Sequence, residues 1–259
     1  NATRATAGVA YVVFGRSVAS YVASGYANID LSLINFAGSS TGFAIYGAAA
    51  GDCLGWSVSV AGDINLDGVV DITVSAPYAD PVVSGTMRIG AGATYVLFGR
   101  SYTLGANSYS NIDTLGFATS GSPLGFAIMG AEASDLSGWS VSNAGDVNLD
   151  GVADLLIGAI GADPVINSVT RSNAGKVYII FGRAVGAGLV ASRTNIDLAV
   201  FATVGTTAGF AICGAATDDQ AGFSVGFAGD VNKDTVSDMI IGAINADPVV
   251  NSVTRVDAG

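Results

Sequence analysis

The sequence predicts an all-β chain built from three near-copies of one unit, and three observations carry that prediction. Four equivalent glycines, Gly8, Gly92, Gly175 and Gly259, stand 84, 83 and 84 residues apart, so three periods fill the 259 residues. Within each period the same four short apolar segments return, rich in β-branched residues, and none keeps a helical period over three turns. Every junction between them is punctuated by Gly or by Asp-Pro.

The chain starts in mid-period with segment C, Tyr11 to Arg16, echoed at Tyr95 to Arg100 and Tyr178 to Arg183. A continuous apolar run this short is the pattern of a strand covered on both faces. A polar connection of about 25 residues follows, with Asn28-Ile29-Asp30, Asn111-Ile112-Asp113 and Asn195-Ile196-Asp197 at matching places. It is long for a hairpin, so part of it is expected to fold back through Ile29, Leu33, Phe36 and their equivalents. Segment D runs Gly42 to Gly47, Gly125 to Gly130 and Gly209 to Gly214; segment A is Trp56 to Val60, Trp139 to Asn143 and Phe223 to Phe227. Segment A alternates large apolar with small residues, as expected where a neighbouring element comes close. Segment B is Ile72 to Ala76, Leu155 to Ala159 and Met239 to Ala243. Four strands per period, two of them covered on both faces, call for sheets stacked face to face, and radial stacking of four-stranded sheets is the β-propeller solution.

Between A and B lies the most informative stretch: Asp63-Ile64-Asn65-Leu66-Asp67-Gly68-Val69-Val70-Asp71, repeated from Asp146 to Asp154 and from Asp230 to Asp238. Oxygen-bearing side chains occupy positions 1, 3, 5 and 9: Asp63, Asn65, Asp67 and Asp71; Asp146, Asn148, Asp150 and Asp154; Asp230, Asn232, Asp234 and Asp238. The backbone carbonyl at position 7, Val69, Val152 or Val236, is the natural fifth donor. Ca²⁺, a hard cation taking six to eight oxygens at roughly 2.3 to 2.6 Å, suits such a set. Position 12, where an EF-hand needs Glu, holds Val74, Ile157 and Ile241, so the loop opens into a strand as a calcium-binding hairpin. The plain alternative is an Asp-Gly hairpin without an ion. Three copies, each crowding three aspartates that repel one another, favour the ion. The third loop has Thr235 where the others have Gly68 and Gly151; a β-branched residue resists positive φ, so that site is expected to be the weakest.

Charge placement obeys the repeat: six columns of three hold 18 of the 20 Asp, and Arg4/Arg88/Arg171/Arg255 and Arg16/Arg100/Arg183 hold most of the basic residues. Arg16, Arg100 and Arg183 read either as solvated strand ends or, as favoured by their recurrence, as partners of an Asp column locking one sheet to the next. A formal charge of -11 argues against nucleic acid as a partner, and three Ca²⁺ would bring it to about -5. The chain has no His and a single Glu, Glu132, which excludes imidazole chemistry and argues against an enzyme. Cys53 and Cys213 fall at different phases of the repeat and read as small fillers rather than a disulfide. No apolar run reaches the roughly 18 residues of a membrane span, and no signal-like segment opens the sequence, which reads as a mature or excised piece. Asn1-Ala2-Thr3 is a lone glycosylation sequon.

Leu54-Gly55-Trp56-Ser57-Val58, Ala61 to Gly68, Ser75-Ala76-Pro77 and Ala91 to Gly99 together resemble the FG-GAP repeats of integrin alpha-subunit propellers. Ile160 and Ile244 depart from the family's Pro, and the period exceeds its usual blade. The resemblance implies blades with one calcium loop each: a half blade at 1–48, full blades at 49–131 and 132–215, and a half blade at 216–259. Three blades are too few to close, so the expectation is an incomplete propeller, completed by further repeats of a longer chain or by other copies meeting head to tail. The function expected is an extracellular or cell-surface structural or adhesive module stabilised by about three Ca²⁺. The alternative is an integrin-like or lectin-like propeller binding a protein or glycan ligand through loops such as Val82 to Ile89 and Tyr102 to Ser110.

Overall fold

The computed structural model describes residues 4–15, 28–34, 41–100, 110–118, 121–182, 194–202 and 206–247, with the strand backbone at 249–250 and 253–254. In chain order, β1 (Val9–Val13) and β2 (Gly42–Tyr46) pair antiparallel. Then come β3 (Val58–Gly62), β4 (Asp71–Ala76), the short hairpin β5 (Val82–Val83) and β6 (Thr86–Met87), β7 (Ala93–Leu97), β8 (Ile112–Asp113) and β9 (Gly125–Met129). The next repeat gives β10 (Ser137–Gly145), β11 (Asp154–Ala159), β12 (Val165–Ile166), β13 (Val169–Thr170), β14 (Lys176–Ile180), β15 (Ile196–Asp197) and β16 (Gly209–Cys213). Last are β17 (Ala221–Gly229), β18 (Asp238–Ala243), β19 (Val249–Val250) and β20 (Val253–Thr254).

These strands form two four-stranded antiparallel sheets, β3-β4-β7-β9 and β10-β11-β14-β16, flanked by the pairs β1-β2 and β17-β18. The all-β expectation holds, with the same strand order in each repeat; the described residues do not close into a ring. Each sheet stacks on the previous one through its first strand: β10 lies on β3 and β4, and β17 on β10 and β11. The apolar cores lie between the stacked sheets, and β14 shows why its run is apolar throughout. Tyr178 and Ile180 enter one core with Ile64, Val96 and Phe126, while Val177 and Ile179 enter the next with Leu156. Two faces buried on alternate residues leave no position for a polar side chain.

Close approach is arranged with small residues. A Cβ on Gly158 would meet the carbonyl oxygen of Gly222 at 2.1 Å, and Ser140 donates its hydroxyl to that same oxygen at 2.7 Å. Along the first strands a column of rings forms, with Trp56 and Trp139 4.7 Å apart and Trp139 and Phe223 5.6 Å apart.

Two features correct the sequence reading. Val82 to Ile89 is not irregular but holds the β5-β6 hairpin, whose turn residues Ser84 and Gly85 have φ of 50° and 82°. The fold-back of the long connection runs differently from the residues named: Ile112 and Phe117 are buried in the core, but Ile29 and Leu33 are exposed, and Ile34 is the buried residue of the first copy. Phe36 and the loop 102–109 lie outside the described residues. Both connections that are covered lay a two-residue parallel strand on the preceding sheet, β8 on β2 and β15 on β9.

Candidate metal centre

The three Asp-rich loops adopt one geometry. In the first, both oxygens of Asp63 accept backbone N–H groups, Oδ1 from Asp67 at 3.0 Å and Oδ2 from Gly68 at 2.9 Å. Asn65 Oδ1 accepts from Asp67 N at 3.0 Å, and Asp67 Oδ1 accepts from Val69 N at 2.8 Å. The second loop repeats these bonds at Asp146, Asn148 and Asp150, and the third at Asp230, Asn232 and Asp234, the donors there being Asp234, Thr235 and Val236. Position 6 takes positive φ in all three: 86° at Gly68, 85° at Gly151 and 73° at Thr235. The third loop keeps the shape with a residue that pays for it in backbone strain.

Position 9 ties the loop to the sheet. Asp71 is fully buried; its Oδ2 accepts from Ile64 N at 3.0 Å and its Oδ1 from Gly99 N, just past β7, at 2.7 Å. Asp154 does the same with Val147 N and Gly182 N, both at 2.8 Å. Gly99 and Gly182 have no room for a side chain, because a Cβ there would lie 2.3 Å from Val70 O and 2.2 Å from Ala153 O. Asp238 accepts from Val231 N at 2.7 Å. Burial pushes the Asp71 carboxyl up to about 6 against the pull of the Gly99 and Ile64 N–H groups, and the charges of Asp67 and Asp63 push it further. Asp154 is raised for the same reasons.

The loops fit a hard divalent cation in donor chemistry, since each offers only oxygens and holds crowded negative charge. Among the described residues, no group of three or more His, Cys, Asp or Glu side chains converges closely enough to hold a metal ion. The carboxylates accept from N–H groups of their own loops and, at Asp71 and Asp154, also from Gly99 N and Gly182 N.

The other recurrent charges pair between repeats. Arg4 makes a two-pronged contact with Asp113, at 2.7 and 2.9 Å, and Arg88 with Asp197, at 2.6 and 2.9 Å. Each arginine also donates to a carbonyl just after the last strand of its own sheet, Gly47 O after β2 or Gly130 O after β9, both at 2.8 Å. The Arg4/Arg88 column thus ties one repeat to the next. Of the column named in the sequence reading, Arg16 and Arg183 lie outside the described residues. Cys53 and Cys213 are free thiols, in keeping with their reading as fillers.

The FG-GAP repeat family matches residues 54–97 and 137–180. Bovine phosphatidylinositol-glycan-specific phospholipase D is 29% identical over 195 residues, 73% of this chain and 18% of that protein. Mouse integrin alpha-IIb is 32% identical over 125 residues, 48% of this chain and 10% of its own length; Drosophila integrin alpha-PS5 is 32% identical over 117 residues, 45% and 10%. The chain therefore spans less than a fifth of each of these relatives. No helix among the described residues is long and apolar enough to cross a membrane. Both matched segments run from a first strand through its Asp-rich loop to β7 or β14, so each of these two stretches is similar to an FG-GAP repeat.

Proposed function

We propose that the chain is a calcium-stabilised structural or adhesive module of an extracellular or cell-surface assembly, its sheets acting as successive propeller-type blades and its copies joining head to tail. One observation carries this reading: the three Asp-rich loops fold to one geometry, each leading into the second strand of a sheet that stacks on its neighbour.

Calcium would be held by Asp63, Asn65, Asp67, the Val69 carbonyl and Asp71, and by their equivalents through Asp154 and Asp238. When bound it supplies positive charge among carboxylates that otherwise repel, and so stabilises the loop that anchors each sheet. Such loops saturate at roughly 0.1 to 1 mM Ca²⁺ in extracellular modules, which suits a surface setting. The test is sedimentation velocity of the chain from 1 to 100 µM, roughly the range of transient to moderate affinities, with thermal melts in Ca²⁺ and in EDTA. Association that grows with concentration and a melt lowered by EDTA are expected. A monomer throughout, with the same melt in both buffers, would overturn the proposal.

A further inference from the structure

A cavity of about 340 Å³ lies between the β5-β6 hairpin, the starts of β7 and the turn 114–118. Val82, Met87, Leu115 and Phe117 give it apolar walls, and its charged lining is Asp52 and Asp80. Asp52 is only 5% exposed. Its Oδ2 accepts from Ala49 N at 2.9 Å, while its Oδ1 accepts no hydrogen bond among the described residues. A carboxylate can accept about four, so a buried one served by a single N–H is short of partners. Burial pushes the Asp52 carboxyl up, the Ala49 N–H pulls it back, and the charge of Asp80 pushes it further. Arg4, the cation that acts on Asp52, is itself held by Asp113 and Gly47 O.

The next repeat builds the same corner and supplies a second cation. Asp135 stands for Asp52, Asp163 for Asp80, Tyr178 for Tyr95 and Arg88 for Arg4. Glu132 N donates to Asp135 as Ala49 N does to Asp52, and Asn173 N donates to Asp163 as Gly90 N does to Asp80. The strand register agrees, since Lys176 opens β14 opposite Ala159 and Ala93 opens β7 opposite Ala76. Here the copies differ in kind: the ammonium of Lys176 acts on Asp135 as an attracting charge, whereas Ala93 lines the first cavity with a methyl group. Glu132, which replaces Ala49, is exposed to solvent. Going from Lys to Ala removes three methylenes and an ammonium, and the first cavity offers apolar walls and carboxylates to match those parts.

We propose that this cavity binds an alkylammonium ion, its ammonium on Asp52 and Asp80 and its methylenes along Val82, Met87, Leu115 and Phe117. An ammonium brings three donors to oxygens that lack them, and its chain buries apolar surface in the same step. A hard divalent cation fits poorly, because it asks for six or more oxygens and gains nothing from apolar walls. A lysine side chain of another protein and a free diamine present the same group.

The probe is n-pentylammonium, titrated into the full chain at low salt and followed by the amide resonances of Ala49 and Asp52. A six-heavy-atom ligand of this kind is expected to bind with a Kd on the order of 1 mM. Neutral 1-pentanol should bind at least about 10-fold more weakly, and Asp52→Asn should weaken pentylammonium by about 10- to 100-fold. Ala93→Lys should abolish binding by placing the second copy's ammonium in the cavity, and Lys176 shows that the strand accommodates this residue. That variant keeps the test decisive if Asp52→Asn disturbs the fold. Nα-acetyl-lysine amide binding more tightly than 1,5-diaminopentane would support the site through a protein side chain, and the reverse order would support it through a free amine. Pentylammonium that binds no better than pentanol, or binds Ala93→Lys as well as the wild type, would overturn the proposal.

Discussion

Replacing Thr235 with Gly isolates the strain in the third loop. Thr235 sits at φ 73°, while the equivalent Gly68 and Gly151 sit at 86° and 85°. A left-handed conformation costs an L-residue about 1 to 2 kcal/mol, toward the upper end for a β-branched one. Glycine gives back about 0.5 to 1 kcal/mol through its freer unfolded chain. The Thr235 side chain is exposed, so little packing is lost with it. Thr235→Gly should therefore stabilise by about 0.5 to 1 kcal/mol, or ~1 to 4 °C in Tm for a chain of this size. The reciprocal change, Gly151→Thr, should destabilise by a similar amount, because a Cβ there meets nothing within 4 Å and only the backbone term acts. Calorimetric melts of both variants, in EDTA so that ion affinity does not enter, give the answer. A Thr235→Gly chain melting at or below the wild type, beside an unchanged Gly151→Thr chain, would refute the reasoning.

Three further outcomes are expected. Burial raises the Asp135 carboxyl to about 6, against pulls from the Glu132 N–H and Lys176. Between pH 4 and 6 the folded state then holds more protons than the unfolded, so stability falls as pH rises, by on the order of 2 to 3 kcal/mol in all. Asp135→Asn should flatten that slope in urea melts taken across this range. Arg88→Ala leaves half-buried Asp197 without its two-pronged partner and should cost about 1 to 3 kcal/mol, read by chemical denaturation. Ca²⁺ at tenfold its dissociation constant should add about 1.4 kcal/mol per loop, and Asp150→Ala should lose more of the calcium-dependent Tm gain than Asp234→Ala.

How much of this was legible in the sequence depended on the range of the interaction. The strands and the Asp-rich loops are local patterns, and all three loops share one set of hydrogen bonds to their own backbone. Strand ends moved: the run starting at Tyr95 was read through to Arg100, but β7 is Ala93–Leu97, because Gly99 turns aside to donate to Asp71. The parallel strands β8 and β15 are two residues long and made by a neighbour, so no periodicity could announce them. The Arg4–Asp113 pair spans 109 residues, and equal spacing within columns cannot say which arginine column meets which carboxylate. The β5-β6 hairpin does leave a signal, Val-Val-Ser-Gly-Thr-Met, with Ser-Gly at the turn between two short β-prone pairs.

The indole pair Trp56 and Trp139 comprises all the tryptophan in the chain, and the two rings belong to different sheets. At 4.7 Å between centroids they are close enough for their electronic transitions to mix. The molecule thus carries a built-in optical ruler: near-ultraviolet dichroism and fluorescence report, without a label, whether its central layers are still in register.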